Sequence, residues 1–393
     1  MNLEGYDPYP STELIVHPRY EGEDALVPGV SVRVENMSNG AAYSAVSDSL
    51  GEARVRLTPG RYRVAATVER VKTYPSGAVR KTIWNGSKDN LRFTATATLE
   101  MELTTAAPSP LIIKEIYSGG CKKTPLEGDY QSDKYMIIHN NSDEDQYLDS
   151  LCVGCVAPYN STGNSHWVKP GDDGTLIYSD YAPIIQAVWQ FPGSGSDFVL
   201  HPGEDAVLCF CGAIDHTRQF PLSVNLDKED YFVCYDNQAF PNTMYHPAPG
   251  TNIRPERYMT MVIKLGVANA YTVSVNSPAL VLFRARGMSI QQLIENDYNI
   301  TTVPGSSNDR IVKLPWSWVE DGVEVFTAAS NNIKRLHPKV DVGYVTFSQS
   351  FLGHTLFRKV NEEETASAGY EVLWDTNNSS SDFYEREVQS LHE

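Results

Sequence analysis

At 393 residues, with 41% hydrophobic and 21% charged side chains, the chain has room for two or three domains that each bury a core. No run approaches the roughly 18 consecutive apolar residues of a membrane-spanning helix. With 49 Asp and Glu against 32 Lys and Arg, the formal charge of −17 has the wrong sign for neutralising a polyphosphate and argues against nucleic acid as a partner.

Strand formers punctuated by 22 Tyr, 23 Pro and 27 Gly read as an all-β protein. The opening "MNLEGYDPYPSTELIV" has neither a charged n-region nor an apolar h-region, so it is not a signal peptide. Clustered cysteines and a polar surface vocabulary rich in Tyr and Asn still suit export. The expectation is that Met1 stands where an export leader was removed.

Residues 12–103 read as one β-sandwich. Val30, Val32 and Val34 alternate with Ser31, Arg33 and Glu35; Ala53, Val55 and Leu57 alternate with Arg54 and Arg56; Tyr62, Val64 and Ala66 alternate with Arg61 and Arg63. Strict period two buries one face and turns the arginines outward. Asn39-Gly40, Ser49-Leu50-Gly51 and Pro59-Gly60 fall between these runs, where turns need Gly or Pro geometry. A further alternating run over 90–103, with Leu91, Phe93, Ala95, Ala97, Leu99, Met101 and Leu103 on one side, closes the domain.

Within this stretch, "SDSLGEARVRLTPGRYRVAATV" resembles the carboxypeptidase regulatory-like, transthyretin-type sandwich. That resemblance implies a non-catalytic presentation module. "TTAAPSP" over 104–110 reads as a linker of small residues and prolines.

The second domain is expected over 111–390. "LIIKEIYSGG" (111–120), "SDKYMIIHNNSDEDQYLDSLCVG" (132–154) and "FVLHPGEDAVLCF" (198–210) resemble a lamin-tail-type immunoglobulin-like domain, with Ile137 where that family usually has Glu. "MSIQQLIEND" (288–297) carries the single clear helix signal, with Ser289 and Gln292 at capping-box spacing ahead of an apolar stripe of Ile290, Leu293 and Ile294. The expected fold is therefore all-β: tandem immunoglobulin-like and transthyretin-like sandwiches, the second large, with long loop insertions and one short helix.

Two cysteine pairs, Cys152/Cys155 and Cys209/Cys211, sit in apolar strands from which four sulfurs could converge. Buried free thiols are the leading reading, disulfides the next, and a zinc set of Cys152, Cys155, Cys209 and Cys211 the minority alternative. Acidic turns at 143–145, 172–173 and 362–364 offer oxygen ligands to calcium but lack the EF-hand spacing. No hydrolase elbow, P-loop, dinucleotide fingerprint or zinc-protease motif is present, the nine histidines are scattered singly, and no catalytic residue or cofactor is expected.

The segment 156–256 reads as a long irregular insertion rich in aromatic residues. Trp167, Tyr178, Trp189, Tyr235, Tyr245 and His246 are its candidate ligand-binding residues, since long loops on rigid sandwiches carry binding surfaces. The stretch "NTMYHPAPGTN" (242–252) is the candidate contact loop.

"PWSWVEDGVEVF" (315–326), "GHTLFRKV" (353–360) and "WDTNNSSSDF" (374–383) resemble a Bacteroidota family of surface lipoproteins of unknown function, and the likeness spans roughly residues 10–390. It implies export, a lipid anchor as the chain's link to the membrane, residence at the outer membrane and cell surface, and a TonB-dependent outer-membrane receptor as partner in nutrient capture. The rival readings are a hydrolase with an unfamiliar site and a purely structural or adhesive surface protein.

Overall fold

The computed structural model describes residues 11–73, 79–106, 109–162, 165–171, 176–327 and 332–392. The protein is mostly β, with several sheets and few helices. Its residues group into two units: 1–107 with 168–178 and 328–332, and 108–167 with 179–327 and 333–393.

In the first unit, seven strands form one continuous path in the order 42–46, 31–36, 60–73, 79–93, 97–106, 12–20, 53–57. Alternation decides its core. Val30, Val32, Val34, Ala53, Val55 and Leu57 are buried together with Tyr62, Val64, Leu99, Met101 and Leu103. At the Ser49–Gly51 turn, Gly51 takes a left-handed φ of +83°, and a Cβ there would lie 2.5 Å from that of Leu26, so only glycine fits without displacement.

Three expectations need correction here. Arg63 does not face outward; it is buried and ion-paired with Asp89, as a charge taken out of water requires. The run 90–103 is not one strand: 79–93 and 97–106 are separate, Ala95 is exposed in the break, and alternation resumes with Leu99. Residues 104–106, read as linker, still belong to the second of these strands.

The second unit holds a six-stranded sheet in the order 232–233, 205–209, 135–140, 111–117, 355–358, 383–386. Its eight-stranded sheet runs 300–302, 310–315, 181–190, 152–156, 279–283, 319–326, 345–346, with 260–264 also paired to 181–190. A shared core of Ile113, Ile116, Met136, Ile138, Val153, Trp189, Leu208, Leu282 and Val323 draws on both sheets.

Each sheet is also covered on its other face. Cys152, Ile184, Val188, Val281, Phe283 and Val312 form one outer cluster with helix residues Ile290 and Leu293, while Tyr117, Tyr135, Ile137, Val207 and Leu226 form another. Burial on two faces explains why "LIIKEIY" and "YMIIHN" are buried at every position instead of alternating.

The helix Ile290–Glu295 has its capping box in place: Ser289 Oγ accepts from Gln292 N at 3.1 Å, and Gln292 Oε1 accepts from Ser289 N at 2.8 Å. Short helices Glu362–Ala368 and Ser379–Asp382 accompany it. The larger correction concerns 156–256, which is not an irregular insertion throughout. Tyr181–Gln190 is a ten-residue strand inside the eight-stranded sheet, and Asp205–Cys209 is a strand of the other.

Candidate functional site

The strand Tyr181–Gln190 is interrupted where it matters. Gln186 adopts φ +65°, a conformation rare for a residue with a side chain, and its carbonyl accepts a hydrogen bond from Leu265 N at 2.7 Å. That departure from ladder geometry lies at a cavity of about 510 Å³ within the second unit. Its walls are mostly apolar: Ala157 and Pro158, Trp167, Ile185, Leu265, and Val303 of the neighbouring hairpin. A concave, largely apolar pocket of this size with a few polar groups is the usual form of a small-molecule site.

The polar lining divides into satisfied and unsatisfied groups. Tyr159 hydroxyl and Thr272 Oγ1 share a hydrogen bond of 3.1 Å, and burial pushes the phenol up to about 12, so it stays neutral. Asp309 accepts from Ser306 Oγ at 3.0 Å. By contrast, Gln186 Nε2 is buried and meets no acceptor among the described residues. Arg310 and His166 line the same cavity, are exposed, and make no ion pair among the described residues.

Buried Arg335 braces one wall. It donates to Pro158 O at 3.0 Å and Ser277 O at 2.9 Å while its Nε lies 3.3 Å from Glu324. The candidate contact loop reaches another wall: Asn242 N donates to Asn269 O at 2.9 Å, and the two side-chain amides meet at 3.3 Å. Met244 at 73% and Val267 at 69% exposure make these segments unusually apolar at the surface.

The six candidate aromatic residues are dispersed by this structure. Trp167 lines the cavity, packed against Ala157 and Ile311. Trp189 is fully buried in the shared core, so it fills the sandwich and offers no ring to a ligand. Tyr235 stacks on His246 at 5.2 Å, which meets Phe240 at 5.5 Å, which in turn meets Trp189 at 6.1 Å. His246 is therefore a core residue, and burial lowers its pKa to about 4, keeping it uncharged. Tyr245 is exposed on the adjoining turn, and Tyr178 belongs to the other unit, in a hairpin pairing 168–170 with 176–178. Sequence reading missed Gln186 and Arg310, which carry no aromatic or motif signal.

The cysteine pairs do not converge. Cys152 packs in one outer cluster, Cys155 in the shared core and Cys209 in the other outer cluster. All six cysteines are buried free thiols, and burial pushes Cys152 up to about 12 and Cys155 to about 11. Among the described residues, no group of three or more His, Cys, Asp or Glu side chains could hold a metal ion. Asp145 bonds His201 at 2.7 Å and 362–364 open a helix capped by Asn361, while 172–173 lie outside the described residues.

A buried constellation elsewhere resembles a reaction centre only in composition. Asp133 Oδ2 accepts from Ser223 Oγ at 2.6 Å and Tyr117 hydroxyl at 3.0 Å, with Cys121 Sγ at 3.6 Å. All four residues are buried, and Cys121 is pushed up to about 12 by burial, so its thiol is not an activated nucleophile.

Residues 201–390 match the protein family of unknown function DUF4876. The whole chain is similar to the crystal structure of a DUF4876 family protein from Bacteroides thetaiotaomicron, at 25% identity and a TM-score of 0.59, covering 95% of this chain and 94% of that one. Partial likenesses join it to a candidate adhesin from Bacteroides ovatus (12% identity, TM-score 0.21, 58% of this chain and 94% of that one) and a DUF3823 family protein from Parabacteroides merdae (9%, 0.18, 46% and 91%). No curated protein matches the chain. Among the described residues, no helix is long and apolar enough to cross a membrane.

Proposed function

We propose that the chain is an exported, lipid-anchored binding protein of the outer cell surface that holds a ligand in the cavity beside Trp167 and cooperates with a TonB-dependent outer-membrane receptor in nutrient capture. The observation that carries the binding part is the cavity itself, with its apolar walls and the exposed Arg310 guanidinium in its lining. The exposed Met244 and Val267 supply an apolar rim for a partner protein.

Support for a surface location comes from the likeness to the Bacteroides DUF4876 structure, and the receptor rests on the family resemblance of the C-terminal "WDTNNSSSDF" stretch. The test is to express the tagged full-length gene in a Bacteroides host, shave intact cells with protease, and crosslink the outer-membrane fraction. The tag should be removed by shaving and a TonB-dependent receptor recovered with the protein. Retention inside the cell, or recovery in the outer membrane with no receptor, would overturn the corresponding half.

A further inference from the structure

Resting on that binding role, we infer that the cavity takes an amphipathic carboxylic acid, its apolar body held among Trp167, Ile185, Leu265 and Val303 and its carboxylate received by Arg310. Three observations converge on this class.

The walls exclude a polar body. Ala157, Pro158, Ile185, Leu265, Ala268, Ala270 and Val303 offer aliphatic surface, and Trp167 is only 7% exposed, so no open ring face is available for stacking a sugar. Apolar area removed from water then supplies the attraction, at roughly 25 cal/mol per Å².

The polar side of the cavity carries the donors Arg310 and His166 together with Asp309, Tyr159 and Thr272. The left-handed backbone at Gln186 is the sort of strained conformation that sites maintain. The Arg310 guanidinium makes no ion pair among the described residues, and the neighbouring Asp309 carboxylate accepts from Ser306.

Finally, the setting is electrostatically selective. In a chain of net charge −17, an anion finds few favourable places, and the exposed Arg310 guanidinium, beside an apolar cavity and next to Asp309, is the cation in this lining. Charge-assisted hydrogen bonds from an arginine to a carboxylate are stronger than those to a neutral acceptor.

The test is isothermal titration of the full chain at low salt and pH 7.5 with octanoate and with octanamide, which share an apolar body and differ in charge. Octanoate should bind saturably at one site, about tenfold more tightly than octanamide. Arg310→Gln, an exposed position, should remove most of that preference, and Ala268→Trp, also exposed, should block both probes. If Ala268→Trp fails to fold, Arg310→Gln alone decides. Equal binding of both probes, unaffected by Arg310→Gln, would overturn the acid while leaving the cavity as a holding site. Binding of neither would overturn the cavity as well.

Discussion

Arg358 and Asp382 face each other at 3.8 Å inside the second unit, and two further carboxylates, Asp321 and Asp375, each stand 2.9 Å from the same guanidinium. Three acids thus surround one base. The cluster also joins the two sheets, since Arg358 lies on the strand 355–358 and Asp321 on 319–326.

This cluster sets a pH dependence. Burial, reinforced by the neighbouring Asp375 charge, raises Asp321 to about 6 and Asp382 to about 7, against an ordinary value of 3.8. Both folded values lie above the unfolded one, so the folded chain binds more protons across that interval and loses stability as pH rises from about 4 to about 7. Buried His246 and His337, lowered to about 4, act in the opposite sense below their ordinary 6.5, so a variant isolates the effect. Between pH 5 and 8, wild type should lose melting temperature relative to Asp382→Asn. A constant difference between the two would refute the assignment.

Glu324 supports the cavity wall from behind. It accepts from Lys334 Nζ at 2.7 Å and Arg335 N at 2.9 Å, and all three side chains are buried. Glu324→Gln leaves two buried cations without their counter-charge, which is expected to destabilise the fold by about 3–5 kcal/mol in denaturant titration. A change below about 1 kcal/mol would show that the triad is solvated in solution.

The thiols should be inert. With Cys121, Cys152 and Cys155 all pushed up to between about 11 and about 12 by burial, a thiol reagent at pH 8 should label none of the six cysteines in the folded protein and all six in denaturant without reductant. Reductant and chelator should leave the melting temperature unchanged. Labelling of fewer than six after denaturation would reveal a disulfide.

Much of the first unit was legible because one face of its strands is wet. Val32 and Arg33 sort themselves by polarity, whereas the Arg63–Asp89 pair, a contact between residues far apart in sequence, and the exposed Ala95 escape the pattern. The strand Tyr181–Gln190 was illegible for the opposite reason. It is buried over much of its length, and Pro183, Gln186 and Gln190 interrupt its apolar run as a loop would. Of the residues selected for aromatic content, Trp167 lines a cavity, whereas the rings of Trp189 and His246 fill the interior. The left-handed backbone at Gln186 and the placement of Arg310 at the cavity arise from the fold, and composition encodes neither.

Helix capping gives an independent local test. Ser289→Ala removes the hydroxyl that accepts from Gln292 N, and the helix it caps buries Ile290 and Leu293. The expected loss is about 1 kcal/mol. No measurable loss would place the Ile290–Glu295 helix outside the cooperative unit.

The most direct measurement compares small molecules carried by the protein when it is purified from its native cell envelope. Wild type and Ala268→Trp would be denatured in parallel and their extracts analysed by mass spectrometry. An organic acid with an apolar body, near one equivalent in wild type and absent from Ala268→Trp, is the predicted result. Extracts without such an acid in wild type, or with equal amounts in both, would contradict the account.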